Sequence, residues 1–176
     1  MKKQKEKPLK CYYLMISRYF GKGHPSAGQS TYFVEKIHKA LGTYSLVENL
    51  NFEVLNDCEP KIHTVRLNYA LWKKRFEEIA AGKAYLSLRY WLDEPYKSPQ
   101  EEFARLTAKD GIGIERLNFK KGNIFINDLK NYTIGNIAKN DGLTLFEFGN
   151  WFNDIQDNKD YAIIHFTKFR YEKNQN

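Results

Sequence analysis

Hydrophobic and polar residues alternate with a period of two in several short stretches of this chain, as they do in strands with one buried face. In the clearest stretch, residues 85–91, the two alternating sets are Leu86, Leu88 and Tyr90 on one side and Ser87, Arg89 and Trp91 on the other. Stretches of similar β-forming composition are 12–17, 64–66, 103–107, 112–119, 123–129 and 161–169. Many short strands with few helices between them favour an α+β fold with a twisted, barrel-like sheet, and they exclude a doubly wound α/β fold.

A period near 3.6 residues predicts helices at 31–41 and 69–81. Asn68 is placed to cap the second of these helices, and Gly82 to end it. Residues 43–59 have no clear period, so we predict only a connecting segment there. We therefore expect one mixed, curled sheet of about six strands, with three to four helices packed outside it.

Two further short helices are predicted around Gly142, in the region 133–152. Thr144 and Glu147 have the spacing of a capping box at the start of the second helix. A pair of helices around a glycine turn resembles a DNA-binding helix-turn-helix, but the helix that would enter the major groove has no Lys or Arg. We therefore predict no DNA reading by this pair and expect Phe148, Trp151 and Phe152 to pack against the sheet.

The composition indicates a single domain in a chain of 176 residues with a net charge of +7. Residues 1–10 contain five lysines and one glutamate, so this segment, predicted to be a disordered basic tail, carries +4 and leaves +3 for the rest. No stretch is apolar enough to span a membrane, and the two cysteines, Cys11 and Cys58, have no zinc-binding spacing. These features predict a cytoplasmic protein with no membrane partner.

The segment from Lys61 to Arg66 concentrates an amine, a hydroxyl and a guanidinium directly after Pro60. A threonine hydroxyl is a weak nucleophile that a nearby amine can activate. Side chains alternate along a strand, so Lys61 and Thr64 reach one pocket only if Lys61 precedes the strand. His63 is a second candidate base, although its position on the strand points it away from Thr64. An exposed edge strand with mixed charges remains the alternative interpretation.

Two other features bear on ligands. Arg89 and Trp91 share one side of a predicted strand, where they could bind a phosphate and stack on a base; an ordinary surface pair is the alternative. The four histidines have no metal-ligand spacing, so neither a metal nor another cofactor is predicted.

The pattern Lys61-x-x-Thr64-x-Arg66 is similar to the Lys-Thr-Ile-Thr-Ile-Arg signature of the ASCH domain, a branch of the PUA-like superfamily of RNA-associated β-barrels. Residues 137–148 resemble the helical segment of that family, and the order of parts agrees across about residues 60–170. The resemblance implies a PUA-like curled β-barrel. It also implies a single domain over residues 11–170, in which residues 11–59 are an N-terminal strand–helix extension.

The best-defined activity of that family is hydrolysis of the acetyl amide of N4-acetylcytidine by a Lys, a Thr and a Glu. The resemblance places the Lys on Lys61, the Thr on Thr64 and the family's signature Arg on Arg66, whereas the Glu position is occupied by Asp141. Asp is one methylene shorter than Glu, and a misplacement of ~1 Å can cost on the order of a hundredfold in rate.

Two functions therefore stay open. The first is binding of RNA or a modified nucleotide in a pocket lined by Lys61, Thr64 and Arg66, with His63, Arg89 and Trp91 as further ligand contacts. The alternative is a small amidohydrolase in which Lys61, Thr64 and Asp141 are catalytic. The Asp in place of Glu favours binding.

Overall fold

The computed structural model describes residues 8–43, 52–130, 132–152 and 159–171, which form an α+β fold with two sheets. The first sheet is mixed and has the order β1–β3–β4, in which β1 runs parallel and β4 antiparallel to the central β3. Its strands are β1 (Lys10–Met15), β3 (Ala84–Trp91) and β4 (Gln100–Leu106).

The second sheet is antiparallel throughout and has the order β2–β7–β5–β6. Its strands are β2 (His63–Leu67), β5 (Gly113–Lys120), β6 (Asn123–Ile126) and β7 (Asp160–His165). The central strand β7 aligns His165 with His63 of β2 on one side and with Gly113 of β5 on the other. This register gathers polar side chains at one end of the sheet.

Five α-helices lie in the described parts of the chain, and none of them is long and apolar enough to cross a membrane. They are α1 (Phe33–Leu41), α2 (Phe52–Asp57), α3 (Tyr69–Ala80), α4 (Ile134–Asn140) and α5 (Leu145–Trp151). The Asn68 side chain accepts a hydrogen bond from the backbone N–H of Leu71, and Thr144 and Glu147 form a reciprocal capping box. Both predicted caps are therefore confirmed.

The single curled sheet expected from the sequence is replaced by two sheets among the described strands. Strand periodicity reports which residues share a face but carries no information on which strands pair, so it could not separate the sheets. The expected three to four helices were also too few, because α2 lies in the segment without a predicted element.

The sequence predicted a disordered tail over residues 1–10, but the last residue of this segment belongs to a strand. Lys10 begins β1, pairs with Ala84 of β3 and contacts Glu78 at 3.2 Å. Residues 1–7 lie outside the described part of the chain.

Both sheets and the helices α1, α3, α4 and α5 contribute to one hydrophobic core. Phe148 of α5 is fully buried, as expected for a helix with an apolar face. Trp151 is only half-buried and contacts the rings of Phe20 and Phe33 at centroid distances of 5.5 and 5.6 Å. Trp151 thus packs on α1 and on the loop after β1, at the edge of the hydrophobic core.

Candidate functional site

Lys61 lies in the extended segment before β2, which is the position that its proposed chemistry requires. Its backbone N–H donates to Lys36 of α1, and that of Ile62 donates to Asn140 of α4, so two helices fix the segment. The Lys61 side chain is only 1% exposed, and its ammonium lies 4.1 Å from the centroid of the Phe33 ring.

Asp141 follows the last residue of α4 and meets Lys61 across 80 positions of sequence. The Lys61 Nζ donates to the Asp141 Oδ1 at 2.5 Å and to its main-chain oxygen at 2.6 Å. Gly142 makes this approach feasible: its φ is +72°, and a Cβ there would lie 3.0 Å from the Cβ of Lys61. A side chain at position 142 would therefore strain the backbone and crowd the lysine.

Thr64 and Arg66 complete the group. They lie two residues apart on the same face of β2. The Arg66 Nη1 donates to the Thr64 Oγ1 at 3.1 Å, and its Nη2 donates to the main-chain oxygen of Met15 at 2.8 Å. The Thr64 hydroxyl also favours the charged form of the nearby Asp141 carboxylate, whose pKa it lowers. The structure therefore brings Lys61, Thr64, Arg66 and Asp141 together, in a group that we call the Lys61 cluster.

Burial opposes both charges of the Lys61–Asp141 pair. Removal from water lowers the pKa of Lys61 to about 8, although the attraction of Asp141 acts in the opposite direction. Removal from water likewise raises the pKa of Asp141, against the effects of Lys61 and Thr64. Because Asp141 binds Lys61 and lies near Thr64, it is a second candidate, beside Lys61, for the group that receives a proton from the threonine hydroxyl.

Behind this group lies a second buried polar cluster that the sequence did not reveal. His63 is fully buried, and its Nε2 is 2.8 Å from the hydroxyl of Tyr171, which also accepts a hydrogen bond from Asn140. The His63 Nδ1 lies 3.8 Å from the Asp141 Oδ1 and has no hydrogen-bond partner among the described residues. His165 is also fully buried, and its Nε2 lies 2.7 Å from the Glu115 Oε2. The alternation of β7 was visible in sequence, but its pairing with β2 and β5 was not.

The buried histidines predict a loss of stability in mild acid. Burial lowers the pKa of His63 well below 6.5, and electrostatic repulsion from His165 and Lys61 lowers it further. Unfolded His63 therefore takes up a proton below pH 6.5 while the folded form does not, so folding stability falls as the pH falls. This linkage amounts to about 1 kcal/mol between pH 7.5 and 5.5 for His63.

Urea unfolding at these two pH values measures this loss. His63→Gln removes the titrating group, so the variant should lose about 1 kcal/mol less than the parent over the same interval. An equal loss in parent and variant would show that His63 is protonated in the folded protein.

The two remaining predicted ligand contacts lie on the other sheet. The Arg89 Nε donates to the Ser87 Oγ at 2.8 Å, and its guanidinium lies 3.8 Å from Glu102. Trp91, two residues further along β3, lines a cavity of about 770 Å³. Neither residue belongs to the Lys61 cluster.

This cavity, which we call the aromatic cavity, lies between the end of β1, the loop that follows it, the segment after β3, and α5. Its aromatic lining consists of Tyr19, Phe20, Trp91, Tyr96 and Trp151, and its charged lining of Arg18, Lys22 and Asp93. Its described lining does not include Lys61, Thr64, Arg66 or Asp141. Two contacts connect the cavity with these four residues: Arg66 donates to Met15 in the cavity wall, and Phe33 lies between Lys61 and Trp151.

His24 fixes the loop at the edge of the aromatic cavity. Its ring stacks on Phe20 at a centroid distance of 4.4 Å, and its Nδ1 accepts a hydrogen bond from the N–H of Ser26. The Nε2 lies 3.1 Å from the main-chain oxygen of Glu147 and, with Nδ1 an acceptor, is the donor. The loop that follows β1 is thereby attached to α5.

Within the described residues, no group of three or more His, Cys, Asp or Glu side chains is placed to hold a metal ion. Comparison with protein-family models, with curated proteins and with solved structures finds no match to this chain. The function must therefore be argued from the geometry.

Proposed function

We propose that the protein binds RNA or a nucleotide, and that one base enters the aromatic cavity. The observation that carries the proposal is that two tryptophans, Trp91 and Trp151, and two cations, Arg18 and Lys22, line the same cavity. Indole rings stack on bases of any sequence, and basic side chains attract the phosphate. A volume of about 770 Å³ is within the range of small-ligand sites.

The Lys61 cluster has a supporting role in this proposal. Lys61, Thr64 and Asp141 are buried, and the half-buried Arg66 holds the main chain of Met15 in the cavity wall. We therefore place the ligand against Trp91 and Trp151 rather than directly on Lys61 and Thr64. Of the ligand contacts expected from the sequence, Arg66 becomes a positioning residue and Trp91 a direct contact, whereas His63 is buried and does not line the cavity.

We also propose that the chain is a divergent ASCH domain whose two sheets correspond to an opened PUA-like barrel. The support is the meeting of Lys61, Thr64, Arg66 and Asp141, the four positions that the resemblance selects. The two sheets and the Asp in place of Glu are the departures from the family pattern.

Titration with AMP, CMP, GMP, UMP and a single-stranded RNA octamer of mixed sequence tests binding. Trp91→Ala should weaken binding by about 1–3 kcal/mol, or roughly 5- to 150-fold, because it removes one stacking partner. Trp72→Phe, in the core face of α3, is the control and should leave affinity unchanged. If the parent binds none of these ligands at low salt, the proposal is wrong.

A second candidate function, hydrolysis of an acylated nucleoside, is favoured by one observation. The Thr64 hydroxyl lies near Asp141, which in turn binds Lys61, so a nucleophile, a base and a cation are neighbours. Thr64 is only 2% exposed, so a substrate reaches it only after side chains that cover it move. Binding requires no such movement, and we therefore rank it first. Release of acetate from N4-acetylcytidine tests the second candidate.

A further inference from the structure

The sheet β1–β3–β4 has one buried and one solvent-facing side. Leu14, Leu86 and Leu88 face the core and are at most 3% exposed. On the opposite side, Tyr13 is 59% exposed and the Arg105 side chain is 58% exposed. We call this solvent-facing side the outer face; it consists of Cys11, Tyr13, Tyr85, Arg89, Glu102 and Arg105, which surround the buried Ser87.

Aromatic and basic side chains alternate on the outer face and contact one another. The Arg89 guanidinium lies 5.9 Å from the ring centroid of Tyr13, and that of Arg105 lies 4.4 Å from that of Tyr85. Each arginine is thus held beside an aromatic ring, as in surfaces that bind single-stranded nucleic acid.

Glu102 is the acidic residue between the two arginines. Its carboxylate accepts hydrogen bonds from Arg105 at 2.7 Å and from Ser87, but it is 3.8 Å from Arg89. Glu102 therefore neutralises the positive charge of Arg89 only weakly. Exposed ion pairs of this kind contribute at most about 1 kcal/mol, so a phosphate can compete for both arginines.

The outer face leads directly to the aromatic cavity. Tyr85, Ser87, Arg89 and Trp91 are alternate residues of β3, and the last of them lines the cavity. At about 3.3 Å per residue, this row is about 20 Å long. A strand of RNA with one base beside Trp91 would therefore pass onto the outer face without crossing another element of the sheet.

We infer that the outer face is a binding surface for single-stranded RNA that extends from the aromatic cavity. This inference rests on the proposed function. Nucleotides that flank the base in the cavity stack on Tyr13 and Tyr85, and their phosphates are bound by Arg89 and Arg105. Glu102, which accepts a hydrogen bond from the buried Ser87, makes the centre of the face charged, whereas the buried centre of a protein–protein interface is depleted of charge.

Comparison of UMP with octauridylate, titrated separately into the full chain, tests the inference. Octauridylate should bind more tightly than UMP, and Tyr13→Ala or Arg89→Gln should weaken octauridylate binding about tenfold while UMP binding stays unchanged. Arg105→Gln should also reduce the slope of log affinity against log salt by about 0.7. Lys73→Gln, on the exposed side of α3, is the matched control for loss of one positive charge.

Glu102→Gln provides a test in the opposite direction. Removal of this carboxylate should strengthen octauridylate binding several-fold, an effect that a merely destabilised protein would not show. If the octamer binds no more tightly than UMP, or if Tyr13→Ala and Arg89→Gln leave it unchanged, the inference is wrong while the cavity proposal stands. If neither ligand binds, the proposed function itself fails.

Discussion

Asp141→Ala is expected to destabilise the protein by ~3–5 kcal/mol, one of the two largest effects that the structure predicts. The variant leaves Lys61 buried at 1% exposure without its carboxylate. The amine must then either stay charged in an apolar environment or lose its proton and a hydrogen-bond partner. The remaining contacts, to the main-chain oxygen of residue 141 and to the Phe33 ring, cannot compensate for an uncancelled charge.

A double-mutant cycle with Lys61→Met separates this effect from simple loss of packing. The double variant should be more stable than Asp141→Ala alone, because no unpaired charge remains. Glu94→Ala breaks the exposed pair of Glu94 with Lys97, where the Lys Nζ lies 2.7 Å from the carboxylate, and should cost less than 1 kcal/mol. Urea unfolding measures the free energy of unfolding of the parent and of the four variants. Strictly additive effects at positions 61 and 141 would contradict the pairing.

Loss of acetate release in Thr64→Ala is the largest effect expected from the amidohydrolase candidate. In that reaction the Thr64 oxygen attacks the acetyl carbonyl, Asp141 takes its proton, and Arg66 is placed to bind the negative oxygen. The C–N bond breaks, the cytidine amine leaves with a proton, and water then releases acetate from the threonine. Removal of the nucleophile should lower the rate at least a thousandfold, to order of magnitude.

Thr64→Ser is the matched control, because serine keeps the hydroxyl and should retain part of the activity. Mass spectrometry of N4-acetylcytidine, both free and within an RNA oligonucleotide, measures the loss of the acetyl group. Equal release by the parent and by Thr64→Ala would remove Thr64 as the nucleophile. No release by the parent from either substrate would leave binding as the function.

Local sequence signals predicted much of the fold and the centre of the site. The capping box at Thr144, the cap at Asn68 and the position of Lys61 before β2 all depend on neighbouring residues, and all three are present. Asp141 was located only through the ASCH resemblance, since nothing in its own neighbourhood distinguishes it from a residue in an ordinary Asp-Gly turn.

Features that depend on distant partners were not predictable from these signals. The division into two sheets follows from strand pairing, which a period of two does not encode. Trp151 is a large apolar residue on a capped helix, so the sequence predicts that it lies in the core. In the structure, however, one side of its ring lines the cavity beside the loop after β1. The polar cluster of His63, His165 and Tyr171 likewise forms only when β2, β7 and the final segment meet.

The chain contains three tryptophans, and this makes one measurement decisive for the aromatic cavity. Trp91 and Trp151 line it, whereas Trp72 lies in α3 at 7% exposure, packed beneath Arg75. NMR spectra of ¹⁵N-labelled protein resolve the three indole N–H signals, which Trp→Phe variants assign. On titration with the single-stranded RNA octamer, the signals of Trp91 and Trp151 should shift together while that of Trp72 stays in place. Binding that leaves the Trp91 and Trp151 signals unmoved would contradict base recognition in this cavity.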